Sequence, residues 1–272
     1  MKTVLTNRID QTFARLGDEG RMGLFPYLTA GFPELEASEP LALAALAAGA
    51  DGLELGVPFS DPLADGTTLQ HASEIALSNG ASLSWAIGLA GRLRARTDAP
   101  LILMTYFNPV HHYGVVRFVD DALAAGVDGV IVPDLPSGES TELADVAEPR
   151  GLYLIQMVAP TSTEARLAEV GRTARGFVYC VSLVGTTGAR TTLSDRLPAF
   201  MDGVRSHVSQ PLLIGFGIAT PEHVRAVRPY ANAVVVASAL ADLLDATPPG
   251  SRESALRSFV AEMRAACETA RR

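Results

Sequence analysis

Lysine is almost missing from this chain: Lys2 is the one example among 22 basic residues. Schiff-base aldolase chemistry needs an amine, so it is close to excluded. Cysteine is nearly as scarce. Cys180 and Cys267 lie far apart with no CxxC spacing, which suggests neither a disulfide framework nor a zinc site. No apolar run reaches membrane-spanning length, and the N-terminus lacks the charged, apolar, small-residue order of a signal peptide. Stretches such as 41–48 are broken by Gly49 and Asp51 and fit a packed helix. A cytoplasmic protein with no membrane contact is expected. A net charge of -8 opposes non-specific nucleic-acid binding.

What is present is aliphatic: 48% apolar residues with only 6% aromatic, ample core material for a globular protein. The apolar residues fall in eight short runs near 24–29, 52–57, 101–106, 129–134, 153–158, 177–182, 212–217 and 233–238. The runs are continuous, not alternating, as in strands covered on both faces by crossover helices. Helix-patterned segments lie between them, so the expected fold is a (β/α)8 TIM barrel. A doubly wound open sheet is the competing arrangement. No linker or low-complexity stretch divides the chain, which reads as a single domain over 1–272. An extra helix is expected before the first strand. Another is expected after the second strand, around 71–79, because that interval is too long for one helix.

A barrel places its active site at the C-terminal ends of its strands, and polar residues gather there. The stretch 53–66, LELGVPFSDPLADG, carries Glu54, Asp61 and Asp65, with Asp51 just upstream. Strand alternation puts Gly52, Glu54 and Gly56 on one face, and two glycines beside a carboxylate leave room for a ligand. Glu54 and Asp65, eleven residues apart, reach one mouth if the loop folds back. Two carboxylates in unlike environments suit acid and base roles, the buried one raised and the more exposed one ionised. A structural alternative has Glu54 bridged to a barrel arginine and Asp65 capping the next helix.

Glycine-rich strand ends form a second group: 184–190 with Gly188, Gly217 after the seventh strand, and Ala237-Ser238 after the eighth. Such loops hold phosphate through backbone N–H groups, although glycines at strand ends also serve as plain turns. Tyr179 is placed to point inward near Glu54, or to satisfy a backbone carbonyl. Tyr27, Ile131, Met157 and Phe216 line a flat apolar pocket or simply fill the core. His111-His112 reads as a surface loop, since no carboxylate or cysteine sits at ligand spacing.

The stretch 53–66, with PYLTAGFP before it, LMTYFNP after it, and later GTTGAR and GFGI, closely resembles the α subunit family of tryptophan synthase over nearly the whole chain. The resemblance implies retro-aldol cleavage of indole-3-glycerol phosphate to indole and glyceraldehyde 3-phosphate. It implies no cofactor in this chain, pyridoxal phosphate belonging to a β subunit partner in a linear αββα heterotetramer that receives the indole. By motif position Glu54 is the acid/base, Asp65 accepts the indole N–H, and Tyr179 supports Glu54. Gly188, Gly217, Ala237 and Ser238 hold phosphate. Asp61, Asn108 and Pro109 face the partner, and 183–193 forms a lid.

Three positions depart from the family pattern. Ala237 replaces a glycine, Thr67 a proline, and Thr186 a valine. None is a reacting group. Two alternatives remain: a weakly active subunit that serves to activate its partner, and a stand-alone lyase that releases indole.

Overall fold

The apolar runs form parallel strands because each must bury both faces, against the barrel interior and against helices. A computed structural model describes residues 7–136, 141–181, 196–215 and 217–268. Its strands are β1 (Gly23–Thr29), β2 (Leu53–Gly56), β3 (Leu101–Met104), β4 (Gly129–Ile131), β5 (Tyr153–Leu154), β6 (Gln156–Val158), β7 (Val178–Val181), β8 (Leu212–Gly215) and β9 (Ala233–Val236). They are hydrogen-bonded in the order β5-β4-β3-β2-β1-β9-β8-β7-β6.

The two ends of that order, β5 and β6, are separated only by Ile155. β5 pairs with β4, β6 pairs with β7, and the Ile155 N–H donates to Val130 O at 2.9 Å. One short length of chain therefore closes the ring. The result is eight parallel staves, a TIM barrel and not an open sheet.

The helices are α1 (Arg8–Glu19), α2 (Leu35–Ala47), α3 (Thr67–Ser78), α4 (Leu83–Arg94), α5 (Phe107–Tyr113), α6 (Val115–Ala124), α7 (Thr141–Ala147), α8 (Glu164–Thr173), α9 (Leu197–Arg205), α10 (Pro221–Val227), α11 (Ser238–Ala246) and α12 (Arg252–Cys267). The expected extra helices are α1 and α3. His111 and His112 lie on α5, not in a loop. That helix starts where the Asp134 carboxylate accepts from Phe107 N at 2.9 and 3.2 Å, a cap supplied from 27 residues away. Among the described residues no helix is long and apolar enough to cross a membrane.

Alternation along the strands sorts side chains into two cores. Phe25, Tyr27, Ile102, Phe177 and Tyr179 fill the barrel, while Leu24, Leu53, Leu55 and Cys180 pack under the helices. Helix α1 plugs the N-terminal end with Ile9, Phe13 and Leu16. The Phe13 ring stacks on Phe25 at 5.9 Å and tilts against Phe177 at 5.6 Å.

Two buried aspartates fasten this plug. Asp51 accepts from Arg15 at 2.9 Å and from Arg21 at 2.7 and 2.8 Å. Asp128 accepts from Arg8 at 3.1 Å and Arg94 at 2.8 Å. Burial pushes the Asp51 carboxyl up, but the hydrogen bonds from Arg21 and Arg15 outweigh it and leave it below its ordinary value. At Asp128 burial prevails over its bonds to Leu101 N–H and the arginines, and the carboxyl is raised.

Candidate active site

Glu54 is placed by register. β1 and β2 pair with Tyr27 opposite Glu54 and Thr29 opposite Gly56, and Glu54, between outer-core Leu53 and Leu55, faces the barrel interior. It is 1% exposed. Its Oε1 has no hydrogen-bond partner among the described residues, and no arginine reaches it there. Burial, and then the charge of Asp65, push the Glu54 carboxyl up to about 8.

Asp65 arrives by loop. After Val57, whose N–H donates to Met104 O at 2.8 Å, the chain turns back across the mouth and is caught by Tyr106. That phenol accepts from Ala64 N at 3.0 Å, and its ring lies 5.4 Å from Phe59. Asp65 is half-buried. It does not cap α3: the N-cap residue is Gly66, with no side-chain cap bond. Burial raises the Asp65 carboxyl to about 6, against a hydrogen bond from Tyr106 that lowers it. The more exposed carboxylate is thus also raised, because the loop half-buries it, yet it stays well below Glu54. At neutral pH the proton sits on Glu54 and the charge on Asp65.

The room expected beside Glu54 is already filled. A Cβ on Gly56 would lie 1.9 Å from Tyr27 Oη, and one on Gly52 would lie 2.4 Å from the Phe25 ring. The glycines admit side chains of the neighbouring strand, not a ligand. Gly215 does the same for Tyr179, whose Oη would be 1.8 Å from a Cβ there. Tyr179 is raised well above the usual phenol range by burial, and then by the charge of Glu54 ahead of Tyr27 and Asp65.

The structure therefore gathers Glu54, Asp65, Tyr27 and Tyr179 at one place. Ile131, fully buried, and Met157, half-buried, belong to the same inner core. At the other side of the mouth Gly217 has φ +73. Ala237 is the N-cap residue of α11, with φ -119 and ψ -82 and no side-chain cap bond, and Ser238 follows, exposed. Gly188, Thr186, Phe216 and the stretch 183–193 lie outside the described residues. Asp61 and Asn108 are exposed and Pro109 is half-buried on α5. Leu63, on the loop of Asp61, is 91% exposed. Tyr106 belongs to the site and was not singled out by residue pattern; its position at the C-terminal end of β3 was the available signal. Among the described residues no group of three or more His, Cys, Asp or Glu side chains is placed to hold a metal ion.

A closed parallel barrel whose mouth pairs a protonated carboxyl with an ionised one belongs among the acid–base barrel enzymes. Comparison with known proteins narrows the class. A family model described as tryptophan synthase alpha chain matches residues 13–270. The tryptophan synthase alpha chain of Roseiflexus castenholzii is 48% identical over 259 residues, covering 95% of this chain and 99% of that one. That of Chloroflexus aggregans is 46% identical, with 96% and 98% covered. Among solved structures, the alpha subunit from Legionella pneumophila str. Paris superposes with a TM-score of 0.87 at 34% identity, covering 96% and 98%. A chain of Mycobacterium tuberculosis tryptophan synthase gives 0.89 at 33%, covering 97% and 99%. The chain belongs to the tryptophan synthase alpha chain family. Its activity is that of a lyase of tryptophan biosynthesis, the cleavage of indole-3-glycerol phosphate.

Proposed function

We propose that Glu54 carries both proton transfers of this cleavage and that Asp65 balances the charge on the ring. The glycerol chain leaves indole only after the ring carbon bearing it is protonated, because protonation turns the ring into a leaving group. Glu54, protonated at neutral pH, supplies that proton. The positive charge that develops at the ring nitrogen is met by ionised Asp65, which accepts the N–H hydrogen bond. Glu54, now a carboxylate in a dry barrel, takes the proton of the chain hydroxyl next to the breaking bond. The C–O becomes C=O, the C–C electron pair returns to the ring, and indole and glyceraldehyde 3-phosphate result with Glu54 reprotonated. Tyr179 steadies Glu54. The carrying observation is the placement of the two carboxyls: Glu54 dry inside the barrel with Oε1 unbonded among the described residues, and half-buried Asp65 held over the same mouth by the loop that Tyr106 catches.

The phosphate rests on Gly217, Ala237 and Ser238, with Gly188 completing the set. One feature supports this: the helix α11 begins at Ser238, and a helix N-terminus presents N–H groups to an anion. Tyr27, Ile131, Met157 and Phe216 flank the ring. Residues 1–272 act as one domain in the cytoplasm, without a cofactor of their own. A β subunit carrying pyridoxal phosphate docks on Asp61, Asn108 and Pro109, forms a linear αββα assembly and receives the indole. Asp61, Leu63 and Asn108 are all exposed, which leaves that rim open to a partner.

Glu54→Gln tests the assignment. Cleavage is expected to vanish while substrate affinity stays nearly unchanged; more than a few percent residual rate would defeat the role of Glu54.

A further inference from the structure

Asp65 has two duties in the cleavage: to stay charged and to stay over the mouth. Tyr106 serves both, since its phenol accepts from Ala64 N at 3.0 Å and hydrogen-bonds the Asp65 carboxylate. The hold is only as good as the placement of Tyr106 itself. That placement does not come from β3, which ends at Met104.

Thr105 and Tyr106 make the step from β3 to α5, with Tyr106 buried and extended at φ -92 and ψ 158. Both flanks of Tyr106 are bonded to the end of β4. The Thr105 N–H donates to Ile131 O at 3.0 Å, backbone to backbone, continuing the β3–β4 pairing. The Phe107 N–H donates to the Asp134 carboxylate at 2.9 and 3.2 Å. That second bond depends on a side chain. It fixes the peptide plane that joins Tyr106 to Phe107, and so restrains the direction in which the Tyr106 ring leaves the chain. α5 supplies no substitute: Tyr106 is its N-cap residue and makes no side-chain cap bond, and the N–H groups of a first helical turn have no partner within the helix.

The charged and titratable groups nearby set what this bond does. Asp65 faces Glu54, Tyr27 and Tyr106. Tyr106 faces Asp65 and, as a lesser influence, Asp134. On α5 the His111 ring packs 5.8 Å from Phe107 and pairs with Glu142 at 3.8 Å. Asp134 therefore acts on Asp65 in two opposed ways. Its charge, taken alone, disfavours a second negative charge. Its hydrogen bond, by keeping Tyr106 against the loop, favours one. The direction in which Asp65 responds to loss of Asp134 tells the two apart.

We propose that Asp134 is a positioning residue for the cleavage: by capping Phe107 it fixes Tyr106, and through Tyr106 it holds Asp65 over the mouth. This rests on the charge-balancing role given to Asp65 above. Asp134 touches neither substrate nor reacting atoms and exchanges no proton. It follows Ile131 at the end of β4, so the strand end that contributes Ile131 to the inner core also braces the loop that crosses the mouth.

Three variants of the full chain test this: Asp134→Ala, Asp134→Asn, and Asp134→Ala combined with Tyr106→Phe. Asp134 is exposed, so none of these changes opens the core at that position. Each is assayed for kcat/KM with indole-3-glycerol phosphate from pH 5.5 to 8.5. Asp134→Ala is expected to lower kcat/KM about threefold at pH 6 and almost not at all at pH 8, because a weakened Tyr106 bond moves the acid limb set by Asp65 upward. Asp134→Asn keeps an acceptor oxygen for Phe107 N and restores the wild-type profile. In the double variant the acid limb stands where Tyr106→Phe alone puts it, since no phenol remains to be positioned. A loss by one factor at every pH would assign Asp134 to the stability of α5 and overturn the proposal. An acid limb that moves down in both single variants would assign it to charge alone, and an unchanged profile in Asp134→Ala would leave it no part in the site; either overturns the proposal as well. A wild-type chain inert toward indole-3-glycerol phosphate would sink the reaction itself, a failure seen before any variant is made.

Discussion

Replacing Tyr106 by phenylalanine removes one oxygen and should change the pH profile more than the maximum rate. Tyr106 hydrogen-bonds Asp65 and favours its charged form, so losing the phenol raises the Asp65 carboxyl. With apparent values of about 6 for Asp65 and about 8 for Glu54, the competent form has Asp65 ionised and Glu54 protonated. By the bell-shaped relation it makes up about half of the enzyme at pH 6 and about half at pH 8. A hydrogen bond to a carboxylate worth ~1.4 kcal/mol moves the acid limb from about 6 to ~7. The competent fraction then falls to ~0.09 at pH 6 and stays near ~0.5 at pH 8. Tyr106→Phe should therefore lose about fivefold in kcat/KM at pH 6 and almost nothing at pH 8. The phenol also accepts from Ala64 N at 3.0 Å, and loosening of that loop would lower the rate equally at every pH. Initial rates from pH 5.5 to 8.5 discriminate. A loss by the same factor across the range would refute the claim that Tyr106 tunes Asp65.

Asp51→Asn should destabilise the fold by about 2 kcal/mol, since it leaves nearly buried Arg21 with the exposed Glu19 as its remaining counter-charge, and lower Tm by roughly 4–8 °C. Burial raises the Asp51 carboxyl, but the Arg21 and Arg15 hydrogen bonds hold it below its ordinary value, so its contribution is present above the ordinary carboxylate range and fades as pH falls through and below it. The Tm gap to wild type should narrow below about pH 4; a constant gap would mean the loss is one of packing. Thr67→Pro should stabilise by about 0.5 kcal/mol, because position 67 opens α3 and Gly66, at φ -75 and ψ 167, already has the conformation a residue before proline prefers. A fall in Tm on calorimetry would count against it. Ala237→Gly should lower KM by giving phosphate closer access to the backbone at the head of α11; an unchanged KM would make the methyl neutral.

The barrel was legible because both-face burial leaves continuous apolar runs, and Glu54 because a carboxylate inside such a run is conspicuous. What the sequence hid were contacts between distant segments. Gly52 and Gly56 announce space but not its occupants, Phe25 and Tyr27, since strand register is not written in either strand alone. α5 was missed because its cap, Asp134, comes from the far end of β4. Tyr106 looked like one more aromatic at a strand end until the loop folded back and brought Ala64 and Asp65 to it. Strand five read as one run and is interrupted at Ile155, where its pairing passes from β4 to β7.

The four carboxylates within 51–65 turn out to do unrelated things, and the register connects two of them. Asp51 pins the base of β2 to β1 in both directions: its N–H donates to Leu24 O at 2.8 Å, and its carboxylate accepts from Leu24 N at 3.1 Å. Three residues on, that register sets Glu54 opposite Tyr27. A slip of one residue would turn Glu54 out of the barrel toward the helices and bring Leu53 or Leu55 inside. The outer face offers Glu54 no water in return, because Leu53 and Leu55, which point that way, are 0% exposed under the helices. The charged cluster around Asp51, Arg15 and Arg21 also opposes the slip, since moving β2 would break several buried bonds at once. The ion pairs at the closed end of the barrel are thus part of what keeps a high-pKa carboxyl at the open end.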